Sequence, residues 1–314
     1  APRTPRRRTG RGGGYVRLRI ATRRSPLARW QAEHVAGLVR AVDPGIEPEY
    51  VLVETSGDRR HDVPIWTMGG KGVFVKEVEA AVLAGRADVA VHSAKDLPSA
   101  RPDGLVLAAV PERGDPRDAL VGAGLDEIAV GGRVATGSVR RRAQLADLRP
   151  DLTYAGLRGN IHTRLEKAAD FDAIVLAFVA LERLGLEDRA AEVLAPWVVV
   201  PQVGQGALAV ECRSGAGDAA LAELLGAVEH EPSRRAVDAE RAFLRELGGD
   251  CNLPAGAHAT VEPGGDLALT ALLASLDGHV ILRHRAEGTE PGAVGVAAAR
   301  HLLDRSGGAA LLAS

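Results

Sequence analysis

Apolar and polar positions along the chain follow two periods, and the switches between them mark out the elements. Leu18 and Ile20 alternate with arginines across 16–22, the two-residue period of a half-buried strand. Ser25-Pro26 then offers an N-cap and a first-turn proline. Leu27, Trp30, Val35, Leu38 and Val42 recur at helical spacing until Asp43-Pro44-Gly45 stops them. A second strand is predicted over 50–55. No period holds across 56–72, where Gly57, Pro64 and Gly69-Gly70 describe a long loop of the kind that is functional or mobile. A helix over 74–84 closes at Gly85, and an apolar run over 87–92 reads as a buried strand.

Strand-like 105–110 leads into Pro111-Glu112-Arg113-Gly114-Asp115-Pro116, a polar stretch bounded by prolines that predicts a domain boundary near residue 112. The βα alternation then restarts, with strands over 133–136, 152–155 and 173–177 and helices over 139–148 and 161–168. Both units read as parallel α/β. Beyond Pro201 come a strand over 206–212 and a helix over 221–228. After Pro232 come a helix over 234–247, two strand-like runs (267–276 and 279–284) flanking an Asp277-Gly278 hairpin turn, and a last helix over 294–303.

The 314 residues suffice for about two or three domains. A net charge of -2 leaves no global basic field to attract nucleic acid, and no apolar run is long enough to span a membrane. Residues 1–14 hold five arginines and no acid, and read as a disordered basic tail. No apolar core follows them, as a secretory signal requires. Cys212 and Cys251 form neither a disulfide framework nor a metal site, so the cytoplasm is the default and no metal is expected.

Local chemistry concentrates in three places. The 87–92 strand runs into Lys95-Asp96-Leu97-Pro98, a charged pair at a strand's carboxyl end, where open α/β sheets bind ligands; a surface ion pair on a turn is the alternative. Between 133 and 164 seven arginines face two acids. Arg140-Arg141 after Ser138, and Arg158-Gly159-Asn160, follow successive strands, so guanidinium groups and helix-start amides point at one crevice and an anionic ligand. Arg142 and Arg149 read as solvated helix faces. Cys251 lies among Gly248, Gly249, Pro254 and Gly256, a loop that suits either a chemical role or simple packing, whereas Cys212 reads as a small buried hydrophobe.

From near Arg19 to the last helix the chain resembles the porphobilinogen deaminase (hydroxymethylbilane synthase) family. The matching stretches are the one from Arg19 to Ala28, Gly69-Gly70-Lys71-Gly72-Val73-Phe74, His92-Ser93-Ala94-Lys95-Asp96-Leu97-Pro98, and Asp115-Pro116-Arg117-Asp118-Ala119. They continue with Thr136-Gly137-Ser138-Val139-Arg140-Arg141, Leu157-Arg158-Gly159-Asn160 with Thr163-Arg164, Val203-Gly204-Gln205-Gly206-Ala207, and the Cys251 loop. The resemblance implies two α/β domains like the lobes of periplasmic binding proteins around a central cleft, plus a smaller α+β C-terminal domain. The corresponding division is 15–112 with 206–228, then 113–205, then 229–314.

It further implies a dipyrromethane cofactor joined to Cys251 by a thioether. On this primer four porphobilinogen units are deaminated and condensed head to tail, and hydrolysis releases hydroxymethylbilane. Asp96 would be catalytic. Lys95, Asp96, Ser138, Arg140 and Arg141 would bind the cofactor, and Arg23, Ser25, Phe74, Arg158, Arg164, Arg183 and Gln205 the substrate. Residues 56–72 would form a lid, and the enzyme would act as a cytoplasmic monomer. The growing chain accumulates carboxylates, which suits a crevice dense in arginine, and a fixed carboxylate suits cationic pyrrole species. Three departures concern efficiency: Asp250 stands before the cysteine, and Ala180 and Gly137 replace a common glycine and a common serine. A non-catalytic anion binder of the same fold is the alternative; it would need the arginines but neither Cys251 nor Asp96.

Overall fold

The computed structural model describes residues 16–59, 72, 74–249 and 253–312. Three sheets organise it, and the chain passes twice between the first two.

The first lobe begins with β1 (Val16–Arg23), whose Leu18 and Ile20 are buried. Ser25 caps α1 (Pro26–Val42), its Oγ accepting from the Ala28 amide at 3.3 Å, and Pro26 opens the first turn. Strand β2 (Ile46–Val53) starts four residues before the pattern shows it. It contains Pro48, which an edge strand tolerates. The short α2 (Ser56–Arg59) begins the stretch predicted as loop, most of which lies outside the described residues. Then come α3 (Lys76–Leu83), β3 (Val89–Ser93) and β4 (Leu105–Ala109).

The second lobe contains β5 (Asp118–Gly122), β6 (Arg133–Ala135), α4 (Val139–Leu148), β7 (Thr153–Ala155), α5 (Ile161–Glu166), β8 (Ala173–Ala177), α6 (Phe178–Glu182) and β9 (Glu192–Leu194). The chain returns to the first lobe as β10 (Leu208–Arg213) and α7 (Ala219–Gly226).

Neither sheet is purely parallel, contrary to the expectation. The orders are β2-β1-β3-β10-β4 and β7-β6-β8-β5-β9. In each, four strands run the same way and the strand made just after a crossing is inserted antiparallel to its neighbours: β10 between β3 and β4, β5 between β8 and β9. The pattern reading misses β5 and β9 because both are short and lie beside polar, proline-containing stretches.

The last part pairs α8 (Glu231–Glu246) and α9 (Pro291–Arg300) with an antiparallel sheet of β11 (Ala255–Val261), β12 (Leu267–Ala274) and β13 (Ile281–Gly288). A core around Phe243, Leu269, Leu273 and Val294 joins helices to sheet. Elsewhere Leu272, Ala274 and Ile281 pack with Ala143 of α4. Strand β11 goes unseen in the sequence, where its start reads as part of the cysteine loop. The Asp277-Gly278 turn is as expected, with Gly278 at φ +81°.

One carboxylate fastens all three parts. Glu240 on α8 is fully buried and accepts from Arg113 Nη1 at 2.6 Å, the Gly204 amide at 2.7 Å and the Ala259 amide at 2.9 Å. Arg113 sits in the outgoing crossing and Gly204 in the returning one. A buried charge so fully satisfied stays put, since losing one partner leaves the other uncompensated.

Candidate functional site

Strand β3 delivers its charged pair into a single 3-10 turn, Ala94–Asp96. Lys95 Nζ donates to Gln205 Oε1 at 3.1 Å. Burial, reinforced by Arg141, lowers the Lys95 ammonium to about 8, while Asp96 and Asp118 act the other way. Among the described residues the Asp96 carboxylate has no hydrogen-bond or ion-pair partner, although it lies close enough to Lys95 and Arg164 to attract both.

Across from it, β5 opens with a fully buried carboxylate that the sequence reading gives no role. Asp118 Oδ2 accepts from Arg140 Nη2 at 2.7 Å. Its Oδ1 accepts from Arg141 Nη2 and Gln205 Nε2, each at 2.7 Å. Burial would raise this acid, but Arg140 and Arg141 outweigh it and hold the carboxyl well below the usual range. Arg140 also donates to the Val200 carbonyl at 2.6 Å and Arg141 to the Val175 carbonyl at 3.1 Å. Gln205 completes the arrangement, since its Oε1 receives Lys95 and its Nε2 reaches Asp118, joining the lobes through one amide.

The helix-start amides are satisfied by side chains. Ser138 Oγ accepts from the Arg141 amide at 3.4 Å and Asn160 Oδ1 from the Thr163 amide at 3.0 Å. Arg142 is exposed as expected. Arg149 is not merely solvated: it binds Asp151 and the Leu125 and Ile128 carbonyls.

Arg164 is pushed down to about 10, chiefly by burial and then by Arg141 and Arg158, and its Nε donates to the Gly159 carbonyl at 2.8 Å. Arg23 contributes to the same repulsion. The Arg23 guanidinium lies 4.3 Å from the Phe74 ring centroid and pairs with Asp58, a residue the pattern offers no means of finding. Ser25 is occupied as the α1 cap. Arg183, lowered to about 10 by burial, donates to the Gly206 carbonyl at 2.7 Å and stacks over Trp30 at 5.3 Å, at the seam between the lobes.

The structure thus brings Arg23, Asp96, Arg141 and Arg158 within electrostatic range of Arg164, and Asp96 and Arg141 within that of Lys95. Arg183 and Ser25 serve the surrounding frame. Cys251 and Asp250, and 60–71 of the expected lid, lie outside the described residues. Leu253 and Ala255, just beyond Cys251 in the chain, line a narrow cavity with Lys95, Ser138 and Arg140. Cys212 is fully buried.

Residues 18–222 match the family model described as porphobilinogen deaminase, dipyromethane cofactor binding domain, and 235–304 match the porphobilinogen deaminase C-terminal domain. Porphobilinogen deaminase of Nitratidesulfovibrio vulgaris (strain DSM 19637 / Miyazaki F) is 47% identical over 277 residues, covering 87% of each chain. The chain belongs to the porphobilinogen deaminase family. A second relative, from strain DP4 of the same species, is 47% identical over 278 residues, covering 87% of this chain and 88% of that one. Among solved structures, the methionine binding protein MetQ has a TM-score of 0.42 at 13% identity, covering 71% of this chain and 94% of that chain. A nutrient binding protein from Burkholderia cenocepacia bound to methionine has a TM-score of 0.42 at 12% identity, covering 66% and 89%.

Proposed function

We propose that this chain is a working porphobilinogen deaminase, with Asp96 as the catalytic carboxylate and Cys251 as the attachment point of dipyrromethane. The observation that carries the reading is the Asp96 carboxylate just beyond the end of β3, without a partner among the described residues and within electrostatic range of Lys95 and of Arg164, which Arg141, Arg158 and Arg23 also approach. The donor set suits the cofactor: its carboxylates need cations, its pyrrole N–H groups need a fixed acceptor, and the cavity lined by Lys95 and Ser138 also meets Leu253, two residues from Cys251. When bound, dipyrromethane supplies the primer end to which pyrrole units are added.

Asp96 accepts pyrrole N–H groups and stabilises positive charge as it develops on a pyrrole losing ammonia, an effect strongest in a preorganised site with restricted water. Lys95, with an ammonium lowered by burial to about 8, holds a carboxylate or exchanges a proton beside it. Arg23, Arg158 and Arg164 bind the acetate and propionate groups, with Phe74 supporting Arg23. Arg141 faces both ways, contributing charge to the cleft while bound to Asp118. Arg140 and Gln205 position Asp118 and Lys95, and Ser138 fixes the α4 start that carries both arginines. Ser25 and Arg183 act through α1 and the lobe seam. We also infer the division 15–112 with 206–228, 113–205 and 229–314, and a cytoplasmic monomer.

The test uses protein whose cofactor content has been verified by intact mass. Asp96→Asn keeps the shape of the side chain and removes its charge, so porphobilinogen should still bind while ammonia release falls about a hundredfold or more. In parallel, Cys251→Ser should lack an acid-stable adduct that Cys212→Ser retains. Near-normal ammonia release from loaded Asp96→Asn, or an adduct on Cys251→Ser, would refute the assignment.

A further inference from the structure

Two aspartates bind arginines at the cleft, and they differ in access. The Asp118 pairs with Arg140 and Arg141 are sealed, with no side chain above 7% exposed. The Arg23–Asp58 pair is open, at 23% and 25%. Arg23 presents two donors side by side, Nε to Asp58 Oδ2 at 3.1 Å and Nη2 to Oδ1, the fork geometry with which a guanidinium also grips a ligand carboxylate. The Phe74 ring supports the face of that fork and leaves its edge to the carboxylate. Asp58 has a second set of partners: its Oδ2 accepts from Thr55 Oγ1 at 2.7 Å and from the Thr55 amide at 3.2 Å. Loss of Arg23 would therefore not strand it.

We propose that Asp58 is a stand-in carboxylate, occupying Arg23 until a carboxylate of the incoming pyrrole displaces it. The proposal rests on the reading of Arg23 as a group that binds substrate carboxylates. Binding at Arg23 is then an exchange of one carboxylate for another. A free guanidinium would attract any anion, whereas an occupied one yields only to a ligand whose other groups are held by Lys95, Arg158 and Arg164 at the same time. The exchange lowers the affinity of every anion for Arg23, so that at a given concentration only a pyrrole also held at its other carboxylate occupies the site. The ionised state of Asp58 fits this role: burial opposes it, but Arg23 and Thr55 hold the carboxyl below its ordinary value. The backbone is shaped for the same contact, since a Cβ on Gly57 would collide with the Phe74 ring.

The experiment uses cofactor-loaded enzyme and, as probe, a pyrrole carrying acetate and propionate but no aminomethyl group, which binds and cannot be deaminated. By calorimetry Asp58→Asn should bind it about two- to fivefold more tightly, the scale of a partly exposed ion pair. KM for porphobilinogen should fall in step with kcat nearly unchanged, and a mono-amide of the probe, which offers Arg23 no carboxylate, should gain less than the probe does. Unchanged or weaker binding overturns the exchange. Arg23→Gln separates the two ideas: if it leaves probe affinity untouched, the reading of Arg23 falls and the exchange with it. If it weakens binding while Asp58→Asn gives no gain, the exchange alone falls. Tightening by Asp58→Asn that persists in the Arg23→Gln background would mark a general charge effect and also overturn it. Asp58→Ser, which keeps an oxygen for Thr55, repeats the measurement should the asparagine variant fold poorly.

Discussion

The two lobes share a strand plan and use it differently. Each has four strands running one way and a fifth inserted between two of them in the opposite direction, and in each the inserted strand arrives directly from the other lobe. The second lobe puts a buried aspartate at the head of its inserted strand and locks Arg140 and Arg141 onto it. The first lobe leaves Asp96 without a partner among the described residues and lends Arg23 to a quarter-exposed aspartate. One lobe therefore supplies fixed charge and the other supplies charge that can change hands. The same residue types, arginine and aspartate, become framework or working surface according to how completely water is excluded.

The largest effect that could break this contrast is on stability. Asp118→Ala should cost about 3–5 kcal/mol in urea unfolding, because two buried guanidinium groups lose their counter-charge. Its depressed acidity also fixes a sign: the stabilisation is complete above the ordinary carboxylate range and is lost as pH falls below it, so the variant's stability should be less sensitive to acid than the parent's. A loss under about 1 kcal/mol would erase the distinction between locked and exchangeable pairs.

A smaller effect concerns Lys95, which reaches across to the second lobe through Gln205. With its ammonium lowered to about 8 from the ordinary 10.5 of a lysine, the folded state gives up this proton before the unfolded state does. Lys95 thus makes stability rise with pH between those two values, and Lys95→Met should flatten that rise. Labelling with an amine-directed reagent should reach half its limiting rate at Lys95 near pH 8, well before the exposed lysines. A midpoint near 10.5 would show that neither burial nor Arg141 presses on this amine.

The smallest effect sharpens the comparison from the other side. Asp58→Asn should change unfolding stability by less than about 1 kcal/mol, and Arg142→Leu, on an exposed helix face, by about as little. A loss for Asp58→Asn matching that of Asp118→Ala would make both aspartates structural.

How much of this could be read beforehand depended on whether a feature was local. The α1 start was legible because Ser25 and Pro26 act on amides within one turn, and the β3 exit because an apolar run ends abruptly in Lys95-Asp96. The arginine excess between 133 and 164 announced a need for anions. It did not reveal that Arg140 and Arg141 answer to Asp118, on a strand that follows directly on the polar, proline-bounded 111–116 stretch. Glu240 was hidden likewise, since its partners come from positions 113, 204 and 259 and only the folded chain brings them together. The parallel-sheet expectation failed for the same reason: the direction of β5 and β10 is set by which lobe the chain has just left.

The insertion of β10 between β3 and β4 also has a consequence for biogenesis. As the chain leaves the ribosome, the segment bearing Lys95 and Asp96 emerges early, yet the strands on either side of it have no ladder between them until residues 208–213 have been made. The second lobe, continuous in the chain, can complete its five strands first. The turn bearing Lys95 and Asp96 is therefore among the last parts of the first lobe to be fastened, and a nascent chain halted before β10 would carry every residue of that turn without the strand that holds its two flanks together.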